Sequence, residues 1–189
     1  MRTSMFRLAL VAAASALALT ATVGQAQASN IAPHGAARGV TRVTLDTGTV
    51  GAVVGLGLTP AAVAPGVLGG SPLQAAFPIV GNMKGGIVKH TGGLSLTKGG
   101  TVLTLTNYSI NENTGRLTAE AAVNGTEVGR IPLFHLDNVH TNVAGCAVTA
   151  DLDLSPEASA AVHDVFGLDI APQALAGAHF GNACVAPRT

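Results

Sequence analysis

The chain has 189 residues, which is room for one domain with a sizeable core once a leader is set aside. Its 10 Lys and Arg balance 10 Asp and Glu, and charged residues make up only 11% of the chain, against roughly 25% in ordinary globular domains. Basic residues are scattered singly, which speaks against a nucleic-acid surface, and 48% hydrophobic residues with little net charge exclude a disordered chain.

The N-terminus reads as an export signal. Arg2 and Arg7 precede an apolar run from Leu8 to Val23, broken only by Ser15, Thr20 and Thr22, and Ala26-Gln27-Ala28 is a small-x-small cleavage site. Residues 1–28 are therefore expected to be a signal peptide, with no twin arginine and no lipid-accepting cysteine. The run is short for a span and lacks a basic stop-transfer flank, so no transmembrane segment is expected in the mature chain. Without Arg2 and Arg7, 8 basic residues face 10 acidic ones, a net charge of −2. Localisation is expected to be secreted, extracellular or at the cell envelope. In that compartment the two cysteines, Cys146 and Cys184, are expected to form a disulfide.

Residues 29–39, with Pro33 and Gly35, show no periodicity and read as a flexible tail; residues 40–189 form the single β-rich domain. Val40 to Leu45 is a β-type run with Thr41, Val43 and Leu45 on one face. Asp46 can cap a short helix carrying Val50, Val53 and Val54 at helical spacing, weakened by interior glycines. Thr59 to Pro72 is extended or looped, with an edge strand near Val63. From Phe77 to Leu136, short alternating runs are separated by tight turns, the pattern of an antiparallel meander. Pro78 points to an edge or a strand start there. Lys98-Gly99-Gly100-Thr101 and Asn124-Gly125 are hairpin turns. Between them, strict alternation puts Leu103 and Leu105 on one face and Val102, Tyr108 and Ile110 on the other.

Thr126 to Leu136 reads as a strand kinked near Gly129 and Pro132, and Asn138 to Gly145 as a loop. Cys146 to Leu154 alternates as a long strand. Ser155-Pro156-Glu157 starts a helix with the stripe Ala158, Ala161, Val162, Val165 and Phe166, and Gly167 stops it. A short strand from His179 to Val185 carries Cys184 back. The run from Val43 to Leu58 resembles that from Leu152 to Leu168. The expectation is two related strand–helix corners, one at each end of the central sheet. The fold class is mainly β: an antiparallel sandwich or open barrel with one or two short peripheral helices.

Little catalytic chemistry is on offer. There is no Gly-x-Ser-x-Gly turn, no phosphate loop, and no free cysteine once the bridge forms. His135 and Asp137 share one side of a strand with His140 nearby, a candidate metal set short of the four ligands of a closed site. His163 lies opposite the stripe of its helix, and His179 is isolated in an apolar strand.

Gly86-Ile87-Val88-Lys89-His90-Thr91-Gly92-Gly93-Leu94 resembles the Gly-x-[apolar]-x-[apolar]-x-His-x-Gly-Gly-Leu pattern of the HtaA-type domain, a β-rich module of secreted bacterial proteins linked to haem uptake. Leu117-Thr118-Ala119 and Ile131-Pro132-Leu133-Phe134 extend the resemblance over residues 86–136. It implies a secreted β-sandwich with His90 in a binding site. That family's haem site also uses a tyrosine near the domain start. Val40 to Gly57 has no aromatic residue here, and Tyr108 is the single tyrosine. The expected function is an exported, non-catalytic protein with a structural or interaction role, no cofactor, and an envelope or extracellular protein as partner. The alternative is a small-ligand or haem-binding module using His90 and Tyr108.

Overall fold

The computed structural model describes residues 38–81 and 83–188; the expected signal peptide and the tail up to residue 37 lie outside them. In chain order the elements are β1 (Gly39–Leu45), α1 (Thr47–Gly55), β2 (Thr59–Val63), β3 (Val67–Gly69), β4 (Gln74–Val80), β5 (Ile87–His90) and β6 (Gly93–Lys98). There follow β7 (Thr101–Asn111), β8 (Arg116–Val123), β9 (Thr126–Val143), β10 (Cys146–Leu154), α2 (Pro156–Phe166) and β11 (His179–Pro187). The chain is mainly β with two helices, as its alternation and turns require.

One antiparallel sheet runs β7-β5-β4-β1-β11-β10-β9-β8, and β8 pairs again with β7, closing a barrel of eight strands. The sandwich expectation gives way to this closure. Three strands lie off the ring. β3 adds to β4 beside its first residues, and β6 takes the N-terminal half of the β7 edge whose C-terminal half belongs to β5, with β2 outside it. Gly92 and Gly93 make that switch possible. A Cβ on Gly93 would overlap the Leu105 carbonyl oxygen, and one on Gly92 the Gly66 nitrogen.

The barrel departs from the sequence reading where Asn residues take left-handed backbone. At Asn107 (φ 50°) the ladder to β8 slips, so Asn107 and Tyr108 together oppose Ala119. This bulge reverses the alternation. Leu103, Leu105, Tyr108 and Ile110 therefore all face inward, which corrects the two-face assignment. Asn138 (φ 47°) acts likewise in β9, which then runs on in register through Asn142 (φ 58°) to Val143 as an exposed ribbon paired with β10. The expected loop at 138–145 shrinks to the turn at Ala144 and Gly145. Pro78 also moves: it lies inside the ring, in the gap on β4 between the last residue paired with β3 and the first paired with β5, where no amide is needed. Gly39, assigned to the tail, already pairs with Pro187.

Both strand–helix corners form, and they sit side by side. β1 and β10 each pair antiparallel with β11, so α1 and α2 leave the same end of the barrel with one strand between them. The expected placement at opposite ends of the sheet is corrected by this pairing. Cys146 and Cys184 are bonded, joining β10 to β11.

Candidate functional site

His90 ends β5, and the alternation of that strand turns its side chain into the barrel, where 4% of it is exposed. Thr41 arrives from β1 on the buried face shared with Val43 and Leu45. Tyr108 arrives from β7 only because of the Asn107 bulge. The imidazole lies between the two strands, with Nε2 2.7 Å from the Thr41 hydroxyl and Nδ1 3.2 Å from the Tyr108 carbonyl oxygen. A carbonyl only accepts, so Nδ1 carries the proton and donates. Nε2 then accepts from Thr41. Burial pushes the His90 pKa down to about 4, opposed by the bond to Tyr108, so the ring is neutral at neutral pH.

The Tyr108 hydroxyl accepts the Leu94 amide at 3.0 Å, and its ring meets Phe77 edge-on with centroids 4.7 Å apart. Burial raises its pKa above the ordinary phenol value. The structure thus brings His90 and Tyr108 together, but through the tyrosine's backbone rather than its hydroxyl. Beside them the barrel holds a cavity of about 100 Å³. Among the described residues, no buried side-chain nitrogen or oxygen lacks a hydrogen-bond partner.

The three candidate metal residues stand along β9. His135 is cross-strand from Asp153, Asp137 from Asp151, and His140 from Thr149. The neighbouring carboxylates are engaged elsewhere. Asp153 meets His179 Nδ1 at 3.1 Å, and Asp151 accepts from Asn138 Nδ2 at 2.7 Å and from Asn182 Nδ2. Among the described residues, no group of three or more His, Cys, Asp or Glu gathers as a metal site requires. His163 bonds its neighbour Asp164 at 2.9 Å.

A polar groove that the sequence reading did not assemble lies over the same bulge, about 630 Å³ and lined by His90 together with Lys89, Ser109, Thr118, Glu120 and Arg130 among others. Arg130 Nη1 donates to the Asn107 carbonyl and the Thr118 hydroxyl, both at 3.1 Å, and Nη2 to Glu120 at 2.9 Å. The Asn107 amide, then Arg130, hold the Glu120 carboxyl below its ordinary pKa. The available signal was Asn107 itself, a poor strand former in the middle of a β-run. For Thr41 it was the buried face already read for β1, which lacked only a partner.

No protein-family model and no curated protein matches the chain. Among solved structures, it resembles the C-terminal domain of HtaA from Corynebacterium glutamicum, with 17% identity over 77% of this chain and 95% of that one and a TM-score of 0.48. That is a weak resemblance. Among the described residues, no helix is long and apolar enough to cross a membrane.

Proposed function

We propose that the mature chain is an exported or envelope-associated, non-catalytic β-barrel protein with a structural or interaction role. The carrying observation is the closed bonding of the barrel interior. Both nitrogens of His90 are occupied by Thr41 and by the Tyr108 carbonyl, and the Tyr108 hydroxyl receives the Leu94 amide. A catalytic base or a ligand to iron needs a free lone pair aimed at open space, and this ring offers none without breaking a buried hydrogen bond. The Cys146–Cys184 bridge supports an oxidising compartment. Interaction then falls to the outer surface.

The haem alternative rests on His90 and its Gly-Gly-Leu continuation. His90 borders both the inner cavity of about 100 Å³ and the polar groove of about 630 Å³, and the second falls in the range of about 300–1,000 Å³ typical of small-molecule pockets. What opposes ligation is that both ring nitrogens are already bonded. Adding haemin to the purified mature protein tests the reading: no Soret shift is expected. A shift that disappears in His90→Ala would replace it with the haem-binding alternative.

A further inference from the structure

The barrel interior is not filled. Its cavity of about 100 Å³ extends from His90 and Tyr108 toward the end where the helices leave, and Val53 of α1 is part of its wall. Only Thr41, His90 and Tyr108 bring polar atoms near it, and those atoms are bonded to protein. The wall therefore offers carbon and nothing else. Water needs two to four polar partners, so such a space stays dry, and a dry apolar cavity of roughly 150 Å³ is known to hold benzene or xenon.

The cover over the cavity is lightly built. α1 has no buried residue, and Val54 is 58% exposed. A Cβ at Gly51 or Gly55 would meet nothing within 4 Å. Val50, Val53 and Leu56 pack against the core only part-buried, and the ends are held by the Asp46 cap, by the Thr49 hydroxyl bonded to the His179 carbonyl, and by Leu58 just beyond it.

We propose that the barrel interior is a binding site for a compact apolar molecule of about benzene size, admitted by displacement of α1. This goes beyond the structural or interaction role and does not depend on haem. The ligand would be a small hydrocarbon-like molecule without a hydrogen-bonding group, because nothing in the wall can recognise one.

The test uses the intact mature protein with benzene as probe and pyridine, its polar isostere, as control. Benzene should raise the melting temperature and shift the methyl resonances of Val53 and Leu96, whereas pyridine should do neither. Val53→Phe puts a ring into the space and should weaken benzene binding at least about tenfold. If benzene has no effect on the wild type, or the same effect on Val53→Phe, the site is overturned. Gly51→Ala with Gly55→Ala stiffens the helix without a clash. It should slow benzene association several-fold; an unchanged rate overturns α1 as the gate. Should Val53→Phe fail to fold, Leu96→Phe fills the space from β6 and should weaken benzene binding to the same extent. A haemin Soret shift would overturn the role proposed above and leave the benzene result standing.

Discussion

The two corners flanking β11 share a plan and differ in how it is filled. Each strand ends on a buried leucine, Leu45 or Leu154. Each helix opens on a side-chain cap that accepts the amide three residues on, Asp46 from Thr49 and Ser155 from Ala158. Each closes at a left-handed glycine followed by a buried leucine: Leu58 donates to the Val53 carbonyl and Leu168 to the His163 carbonyl. Yet α2 buries Ala158, Ser159 and Val162, carries Glu157 in its first turn, and holds its following loop through Ser159, which donates to Pro172 and accepts from Leu175. α1 has glycine at 48, 51 and 55, no buried residue and, beyond its Asp46 cap, no charged residue in its first or last turn. Caps and stops place a helix; only side chains filling the interface fix it there.

The disulfide should show the largest effect, because it lies on one side of the comparison only. It ties β10 to β11, and β1 has no such bond to β11. Closing a loop of sequence separation 38 contributes about 4 kcal/mol in the chain-entropy account. Cys146→Ser with Cys184→Ser should lower the urea midpoint accordingly and bring amide protection in α2 down toward that of α1. Unchanged protection in α2 would mean that its packing alone sets the difference.

Acid should act from the other side, through β1. His90 bonds Thr41 on that strand, and its pKa is about 4 when folded against 6.5 for the free ring. The unfolded state therefore binds more protons between those values. Stability is full above pH 6.5 and is lost as the pH falls toward 4. The difference corresponds to about 3 kcal/mol. His90→Gln should flatten that slope in urea titrations at successive pH values. A slope that survives the substitution would place the acid sensitivity elsewhere.

The valines of the two helices compare the corners directly. Both valines line the cavity, but Val162 is buried and Val53 only half-buried. Val162→Ala takes two methyl groups out of the core and should cost about 2 kcal/mol, whereas Val53→Ala removes less buried surface and should cost less than about 1 kcal/mol. Equal losses at the two positions would show that α1 packs as tightly as α2.

Much of this plan is legible in the residues themselves. Asp46, Ser155, Gly57 and Gly167 announce both helices, and Asn124-Gly125 and Gly99-Gly100 announce the hairpins, because each residue type has a local backbone reason to be where it is. What is not legible is what a single residue does to register. Asn107 sits in a run read as one regular strand and Asn138 in an expected loop, yet each makes a bulge inside a strand, while Asn142 keeps register with a left-handed backbone. One slipped residue turns every later side chain to the other face, which is how Tyr108 enters the core beside His90 and how an expected loop becomes ribbon. Closure of the sheet rests on the long-range pairing of β1 with β11 and on β5 reaching β7 past β6, which alternation does not encode. The outer cluster of Asn107, Glu120 and Arg130 depends on the same bulge and was hidden with it.

The caps give the smallest effect and the finest discrimination. Ser155 does two jobs: it accepts the Ala158 amide at 3.0 Å, and its hydroxyl donates to the Pro132 carbonyl on β9 at 2.9 Å. Ser155→Ala should therefore cost about 1–2 kcal/mol, and it should do so globally, because a bond to the barrel wall is lost with the cap. The Asp46 carboxylate accepts the Thr49 amide at 2.8 Å, within its own helix turn and with no bond to the barrel wall. Asp46→Ala should leave the urea midpoint almost unmoved and reduce amide protection in α1 alone. Hydrogen exchange read residue by residue separates these outcomes. If Asp46→Ala lowers protection in β1 and β11 as much as in α1, the first corner unfolds together with the barrel. It is then no loosely held cover.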